Sequence, residues 1–370
     1  MRRALALAAK GYGRVSPNPM VGAVLVRDGR NIGEGWHHGP GLPHAEVEAI
    51  LDAVRRGHAT RGSTLYVTLE PCCTHGRTPP CSWAIVRSGI RRVVVAATDP
   101  NPAHAGRAFP FLADAGIEVA TGVLAQTAHR LNEVFDRWIA TRMPFVTAKS
   151  AMTLDGKIAT AGGESKWITS PAARAFGMRL RKGADAIVAG VQTVLMDDPS
   201  LTVRAAGDLP GRGVMTRQPT PLRVILDSKA RTPTTARVVT DQQASRTRVV
   251  VTPRAPRHRV AALRRQVAVV VAPEDSNGRV DLVWLMRKLG SEGVAGVLVE
   301  GGGETLASFF RAGLVQRVAF FYALKILGGR GARRAVAGEG ASTRKEVLTL
   351  QDIEWRRVGP DLFMTARVQG

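Results

Sequence analysis

The run Thr64-Leu-Tyr-Val-Thr-Leu-Glu-Pro-Cys-Cys-Thr-His-Gly-Arg-Thr-Pro-Pro-Cys81 carries an apolar strand directly into a proline–cysteine pair and then a further cysteine. Thr64 to Leu69 is short, β-branched and apolar, and the proline-rich turn ends it, so it reads as a buried strand. Ser82 to Ser88 reads as a helix behind it. Upstream, Pro43-His44-Ala45-Glu46 opens a stretch to Arg56 in which Val47, Ile50, Leu51 and Val54 recur at helical intervals. Met20 to Val26 and Arg92 to Ala97 are further apolar strands, and a helix is expected from Leu124 to Thr141. Continuous apolar strands separated by helices predict an α/β sheet covered on both faces.

Arg142-Met-Pro144 marks a boundary, because proline stops a helix and a new strand starts at Phe145. The expected domains are residues 1–143 and 144–370. The second repeats α/β alternation, with strands at Ala186–Ala189, Arg223–Leu226, Arg248–Val251, Val267–Val271 and Gly296–Val299. Residues 205–220 and the neighbourhood of Gly328–Gly331 read as loops, and nothing is assigned from Gly331 onward.

A chain of 370 residues suits two domains, and 45% hydrophobic residues supply two cores. The formal charge of +22 points to anionic partners, but the basic residues are dispersed and aromatics make up only 5%. That argues against a nucleic-acid surface and leaves phosphorylated small molecules, an anionic surface or a plain arginine bias as the cause of the charge. All three cysteines fall between Cys72 and Cys81, which is no disulfide framework and points to metal or catalytic use in a reducing compartment. No stretch is apolar and long enough to span a membrane. A cytoplasmic protein is expected.

His44, Cys72 and Cys81 supply one imidazole and two thiolates, the three ligands of a catalytic zinc site with its fourth position open to water. Glu46, two residues past His44 at the start of a helix, can move protons without occupying the metal. H-x-E followed by P-C and a second cysteine is the zinc nucleobase-deaminase signature, which replaces an exocyclic amine by oxygen. Asn18, in Ser16-Pro-Asn-Pro19, offers both donor and acceptor to a ring edge. His75 and Arg77 lie between the cysteines, and a cation there suits a phosphorylated substrate.

These segments, with Asp99-Pro-Asn-Pro102, resemble the deaminase half of the bacterial bifunctional riboflavin-biosynthesis deaminase–reductases. The resemblance implies a cytidine-deaminase-like α/β/α domain with zinc on His44, Cys72 and Cys81 and Glu46 as proton shuttle. It also shows a departure. Thr74 stands where the family commonly has a substrate-contacting histidine, and His75 is the neighbouring imidazole.

In the second half, Val297-Leu-Val-Glu-Gly-Gly-Gly303-Glu-Thr is a strand, a glycine turn and a helix start, which admits a dinucleotide site without the Rossmann spacing. Ala148 to Ala159, Gly163 to Pro171 and Val194 to Arg204 accompany it, and Ser170-Pro171 is a helix cap with proline at the first helical position. In this order they resemble the reductase half of the same family, which implies a dihydrofolate-reductase-like α/β fold. The resemblance places NADPH against Ala151, Trp167, Thr193, Asp197, Ser228 and the turn Gly302, Gly303, Glu304, Thr305, Leu306, Ala307 and Ser308. It places substrate against Ser165, Arg181, Leu201, Arg204 and Glu300. Arg181 and Arg204 suit a ribose phosphate, which guanidinium matches bidentately. Asp155, Lys149 and Glu300 stand as candidate acids.

The implied reactions are deamination of 2,5-diamino-6-ribosylamino-4(3H)-pyrimidinone 5′-phosphate and then reduction of the ribosyl side chain, in a homo-oligomer. A nucleic-acid deaminase with an RNA-binding module, a non-catalytic zinc scaffold, and a chain with one active half are the alternatives.

Overall fold

The computed structural model describes residues 1–74, 79–203 and 220–369. The chain divides into two compact units, Met1–Arg142 and Met143–Gly370.

The first unit runs α1 (Arg2–Ala8), β1 (Gly22–Arg27), β2 (Arg30–Trp36), α2 (Ala45–Arg55), β3 (Thr64–Leu69), α3 (Cys81–Arg87), β4 (Arg92–Ala97), α4 (Ala108–Asp114), β5 (Glu118–Ala120) and α5 (Ala125–Thr141). Its sheet has the order β2-β1-β3-β4-β5. β1 is antiparallel to β2 and β3, whereas β3, β4 and β5 are parallel. Alternation along the strands builds two cores. Ala23, Leu25, Val93 and Val95 pack with Ala45, Ala49 and Ala53 of α2, Ile85 of α3 and Leu112 of α4. On the other face, Leu69, Ala96 and Ala97 meet Leu5 and Ala128, and Val24 meets Ala4 and Leu7. The sheet is therefore covered on both sides, as the apolar strands predict.

Strand β2, helix α4 and strand β5 have no counterpart in the sequence reading. β2 carries Gly33 and Gly35 because α2 lies almost on its backbone. A Cβ on Gly35 would come within 2.2 Å of the Ala45 carbonyl oxygen. That close approach seats the helix start bearing Glu46.

The second unit contains β6 (Phe145–Thr153), β7 (Lys157–Ala159), α6 (Pro171–Lys182), β8 (Ala186–Gly190), α7 (Val191–Asp197), β9 (Leu222–Leu226), α8 (Arg237–Thr240), β10 (Thr247–Val251), α9 (Arg257–Arg264), β11 (Ala268–Val271), α10 (Leu282–Ser291), β12 (Gly296–Val299) and α11 (Gly303–Arg311). It ends with β13 (Arg317–Ala323), β14 (Arg333–Arg334), β15 (Leu350–Val358) and β16 (Asp361–Val368). Nine strands form one sheet in the order β11-β10-β9-β8-β12-β6-β13-β16-β15. It is parallel as far as β13, and β16 and β15 then add antiparallel. The residues after Gly331, to which the sequence assigned nothing, thus complete the sheet.

Val188, Val224 and Val250 face α10 and α11, whereas Ile187, Ile225 and Val249 face α7, α8 and α9. Ser170 caps α6 by accepting from the Ala173 N–H, with Pro171 at the first helical position, as read from sequence. The expected loop over 205–220 lies outside the described residues apart from Thr220. No helix among the described residues is long and apolar enough to cross a membrane.

Candidate active sites

In the first unit, His44 is the residue before α2, Cys72 follows β3 and Cys81 opens α3. Three element ends thus bring His44 Nδ1 to 3.1 Å from Cys81 Sγ and 3.5 Å from Cys72 Sγ. The three donor atoms lie within 4.8 Å of one another. Bonds of about 2.3 Å to sulfur and about 2.0 Å to nitrogen place such donors around one tetrahedral zinc. The Cys81 N–H also donates to Cys72 Sγ at 3.2 Å. That bond, the Cys81 thiol and His44 hold the Cys72 thiol well below its ordinary pKa.

Glu46, in the first turn of α2, is 3% exposed, and its Oε2 is buried with no hydrogen-bond partner among the described residues. Burial pushes its carboxyl up to about 7. A buried oxygen without a partner is costly unless a ligand meets it. The donor set and this orphaned oxygen fit a zinc ion with a water beside it.

Around the cluster stand residues that the motif does not include. His37 is 3% exposed, and burial lowers its pKa, which keeps the ring neutral. Its Nδ1 lies 3.2 Å from the Pro43 carbonyl, which can only accept, so the proton sits there. Nε2 then accepts from Asn18 Nδ2 at 3.0 Å. This fixes the amide of Asn18 and leaves Oδ1 as the acceptor to face a ring. His37 also stacks edge-on against His44, at 5.2 Å and 86°.

Glu70, two residues before Cys72, is 5% exposed and accepts from the N–H groups of Asp99, Gly106 and Ala108 at 2.9 to 3.1 Å. It folds residues 99–108 down beside the cysteines. Glu70→Ala is expected to destabilise the first unit by about 3 kcal/mol by stranding these donors. Chemical denaturation followed on that unit measures the loss. His75 and Arg77 lie outside the described residues.

In the second unit a cleft of about 1770 Å³ opens along the carboxyl ends of the parallel strands. The cofactor residues expected from the resemblance divide here. Ala151, Trp167, Thr193, Asp197 and the turn Gly302, Gly303, Glu304 and Thr305 line the cleft. Ser228, Leu306, Ala307 and Ser308 are not among its described lining residues. Leu306 is fully buried in the core beneath α11, and Ser308 Oγ donates back to the Glu304 carbonyl. Ser228 Oγ instead accepts from the Val280 N–H. Gly303 is required by packing, since a Cβ there would meet the Arg334 carbonyl oxygen at 2.2 Å.

Of the expected substrate residues, Ser165, Arg181, Leu201 and Glu300 line the cleft, and Arg204 lies outside the described residues. Ser165 Oγ donates to Asp197 Oδ1 at 2.9 Å, which ties an expected substrate contact to an expected cofactor contact. In this structure Arg181 is engaged within the protein. Its Nε and Nη2 are both used on Glu300 at 2.8 Å, and Nη1 donates to the Thr202 carbonyl. Lys149 Nζ stands 3.6 Å from the same carboxylate. Burial works to raise the Glu300 carboxyl, but the Arg181 and Lys149 charges prevail and hold it down to about 2.

Asp155 is the third candidate acid. The Thr153 hydroxyl and the Leu327 and Gly328 N–H groups all donate to it and hold it ionised, down to about 2. It anchors the loop after β13.

Two family models match the chain. The cytidine and deoxycytidylate deaminase zinc-binding region matches residues 1–97, and the RibD C-terminal domain matches residues 144–364. The riboflavin biosynthesis protein RibD of Bacillus amyloliquefaciens is 41% identical over 366 residues, covering 99% of this chain and 95% of the relative. The solved structure of Acinetobacter baumannii RibD in form 1 matches with a TM-score of 0.86 at 34% identity, covering 100% of this chain and 98% of that one. A diaminohydroxyphosphoribosylaminopyrimidine deaminase/5-amino-6-(5-phosphoribosylamino)uracil reductase from Thermotoga maritima matches with a TM-score of 0.81 at 36% identity, covering 100% and 97%.

Proposed function

The chain belongs to the RibD family of bifunctional riboflavin-biosynthesis enzymes, a zinc-binding deaminase domain joined to a reductase domain, and from that premise we propose which residues carry each step. The substrate of the first step is the diaminopyrimidinone ribosyl 5′-phosphate, and its amine leaves as ammonia while water supplies the new ring oxygen. One observation carries the assignment: a buried Glu46 oxygen without a partner stands beside a His–Cys–Cys donor set.

Zinc, held by His44, Cys72 and Cys81, supplies a Lewis acid that brings water to near-neutral acidity. Glu46 takes one proton from the attacking water and passes it to the ring nitrogen, then takes the second from the newly formed hydroxyl and gives it to the departing amine, so that ammonia leaves as the ring carbonyl forms. Asn18, held by His37, accepts from a ring N–H and sets the orientation of the pyrimidine.

In the second unit NADPH supplies hydride for C1′ of the opened ribose. Lys149, poised on Glu300, holds the proton for the ribose oxygen as its bond to C1′ breaks. Arg181 holds Glu300 ionised, so the carboxylate orients Lys149 without competing for its proton. The glycine turn before α11 presents backbone N–H groups to the dinucleotide phosphates. The three free cysteines support a reducing cytoplasm as the working compartment. The resemblance supports a homo-oligomer.

A coupled assay on zinc-loaded protein tests the reading. Ammonia release from the diaminopyrimidine phosphate, followed by NADPH oxidation, is the expected result. Chelation is expected to stop the first signal while reduction of supplied deaminated substrate continues. NADPH oxidation lost on chelation, or ammonia released at an undiminished rate by the zinc-free chain, contradicts the assignment.

A further inference from the structure

The floor of the deamination site handles the reacting ring. Glu46 and Cys81 are 3% and 1% exposed there, and neither can distinguish a phosphorylated substrate from its dephosphorylated counterpart. The mouth is different in chemistry. The loop held by Glu70 carries His104, half-buried, and Arg107, exposed. His104 Nδ1 lies 3.2 Å from Thr74 Oγ1, two residues beyond Cys72.

The side chain of His104 is not needed to hold the loop, because Glu70 already does so through three backbone N–H groups. What the Thr74 bond does is fix the ring. With Nδ1 taken up by the Thr74 hydroxyl, Nε2 is the ring nitrogen left to meet a ligand. Nε2 has no partner among the described residues.

A pyrimidine whose ring reaches Glu46 leaves its ribosyl phosphate at the mouth. We propose that His104 is a substrate-contacting residue of the deamination site, donating from Nε2 to the phosphate-bearing end, with Arg107 on the same loop as a cationic contact. The proposal rests on the deaminase reading above. Thr74 acts through His104 and is a positioning residue.

Steady-state ammonia release by the full zinc-loaded chain tests it, with the diaminopyrimidine ribosyl 5′-phosphate and its dephosphorylated counterpart as substrates. His104→Ala is expected to raise KM for the phosphorylated compound about tenfold, the loss of one charge-assisted hydrogen bond. It leaves kcat, zinc content and KM for the dephosphorylated compound unchanged. His104→Gln keeps an N–H donor and recovers part of the loss. Thr74→Val frees the ring and gives a smaller rise in the same KM.

Reduction of supplied deaminated substrate is the control that each variant is folded. An unchanged KM, an equal loss on both substrates, or a fall in zinc content overturns the role of His104 while leaving the deaminase reading standing. Absence of ammonia release from the parent chain instead removes that reading, and this proposal with it.

Discussion

Glu46→Gln is expected to slow ammonia release by about 10²–10⁴-fold, the usual worth of a positioned acid–base group. Zinc content and NADPH oxidation with supplied deaminated substrate stay at parent levels. The substitution keeps the size of the side chain and leaves His44, Cys72 and Cys81 unaltered. It removes the ability to take a proton at Oε2 and to give it back to the ring and the leaving amine. The reductase cleft is lined by residues between Lys149 and Gly338, all of the second unit. Ammonia release, bound zinc by atomic absorption and the nicotinamide absorbance are read on one preparation. Loss of both activities contradicts two independent sites, and loss of zinc means that Glu46 acts through the metal's seat and not as a proton carrier.

The legibility of the two sites differs for a physical reason. The metal cluster is local in sequence logic: each ligand sits at an element end marked by proline or by the start of a helical period, so motif and geometry coincide. The groups that support it are long-range. Glu70 looks like part of a strand-ending turn, and its three donors lie 29 to 38 residues away. His37 reads as one of two histidines in a glycine-rich turn until the fold places it between Pro43, Asn18 and His44.

The same logic governs the strands that the pattern failed to announce. β2 owes its glycines to the helix pressed on it, and glycine is what a sequence reading takes for a break. β15 is an edge strand with most of its residues exposed, so burial imposes no alternation on it. In the reductase cleft the resemblance placed Arg181 and Glu300 together as substrate contacts. It could not show that they are spent on each other, because 119 residues separate them.

That pair carries the second large effect. Glu300→Gln is expected to lower the melting temperature of the second unit by on the order of 10 °C and to remove most reductase activity. The change leaves the Arg181 guanidinium and the Lys149 ammonium facing a neutral amide in a site where Glu300 is 8% exposed. Breaking a buried pair in this way costs about 3–5 kcal/mol, because the remaining charge has lost its counter-ion and cannot return to water. Lys149 also loses the carboxylate that orients it, so kcat is expected to fall with little change in ammonia release. Acid titration gives an independent reading. Glu300 is held down to about 2 from an ordinary 4.5, so the unfolded chain binds the extra proton first. Its stabilisation is complete above about pH 4.5 and drains away as pH falls toward 2. The parent's second unit should therefore lose stability over that window more steeply than the variant's. Calorimetry with the first unit as internal reference separates the outcomes. An unchanged melting temperature together with an unchanged acid limb shows that Arg181 and Glu300 offset their own desolvation and nothing more, and it removes the basis for Glu300 as the group that orients Lys149.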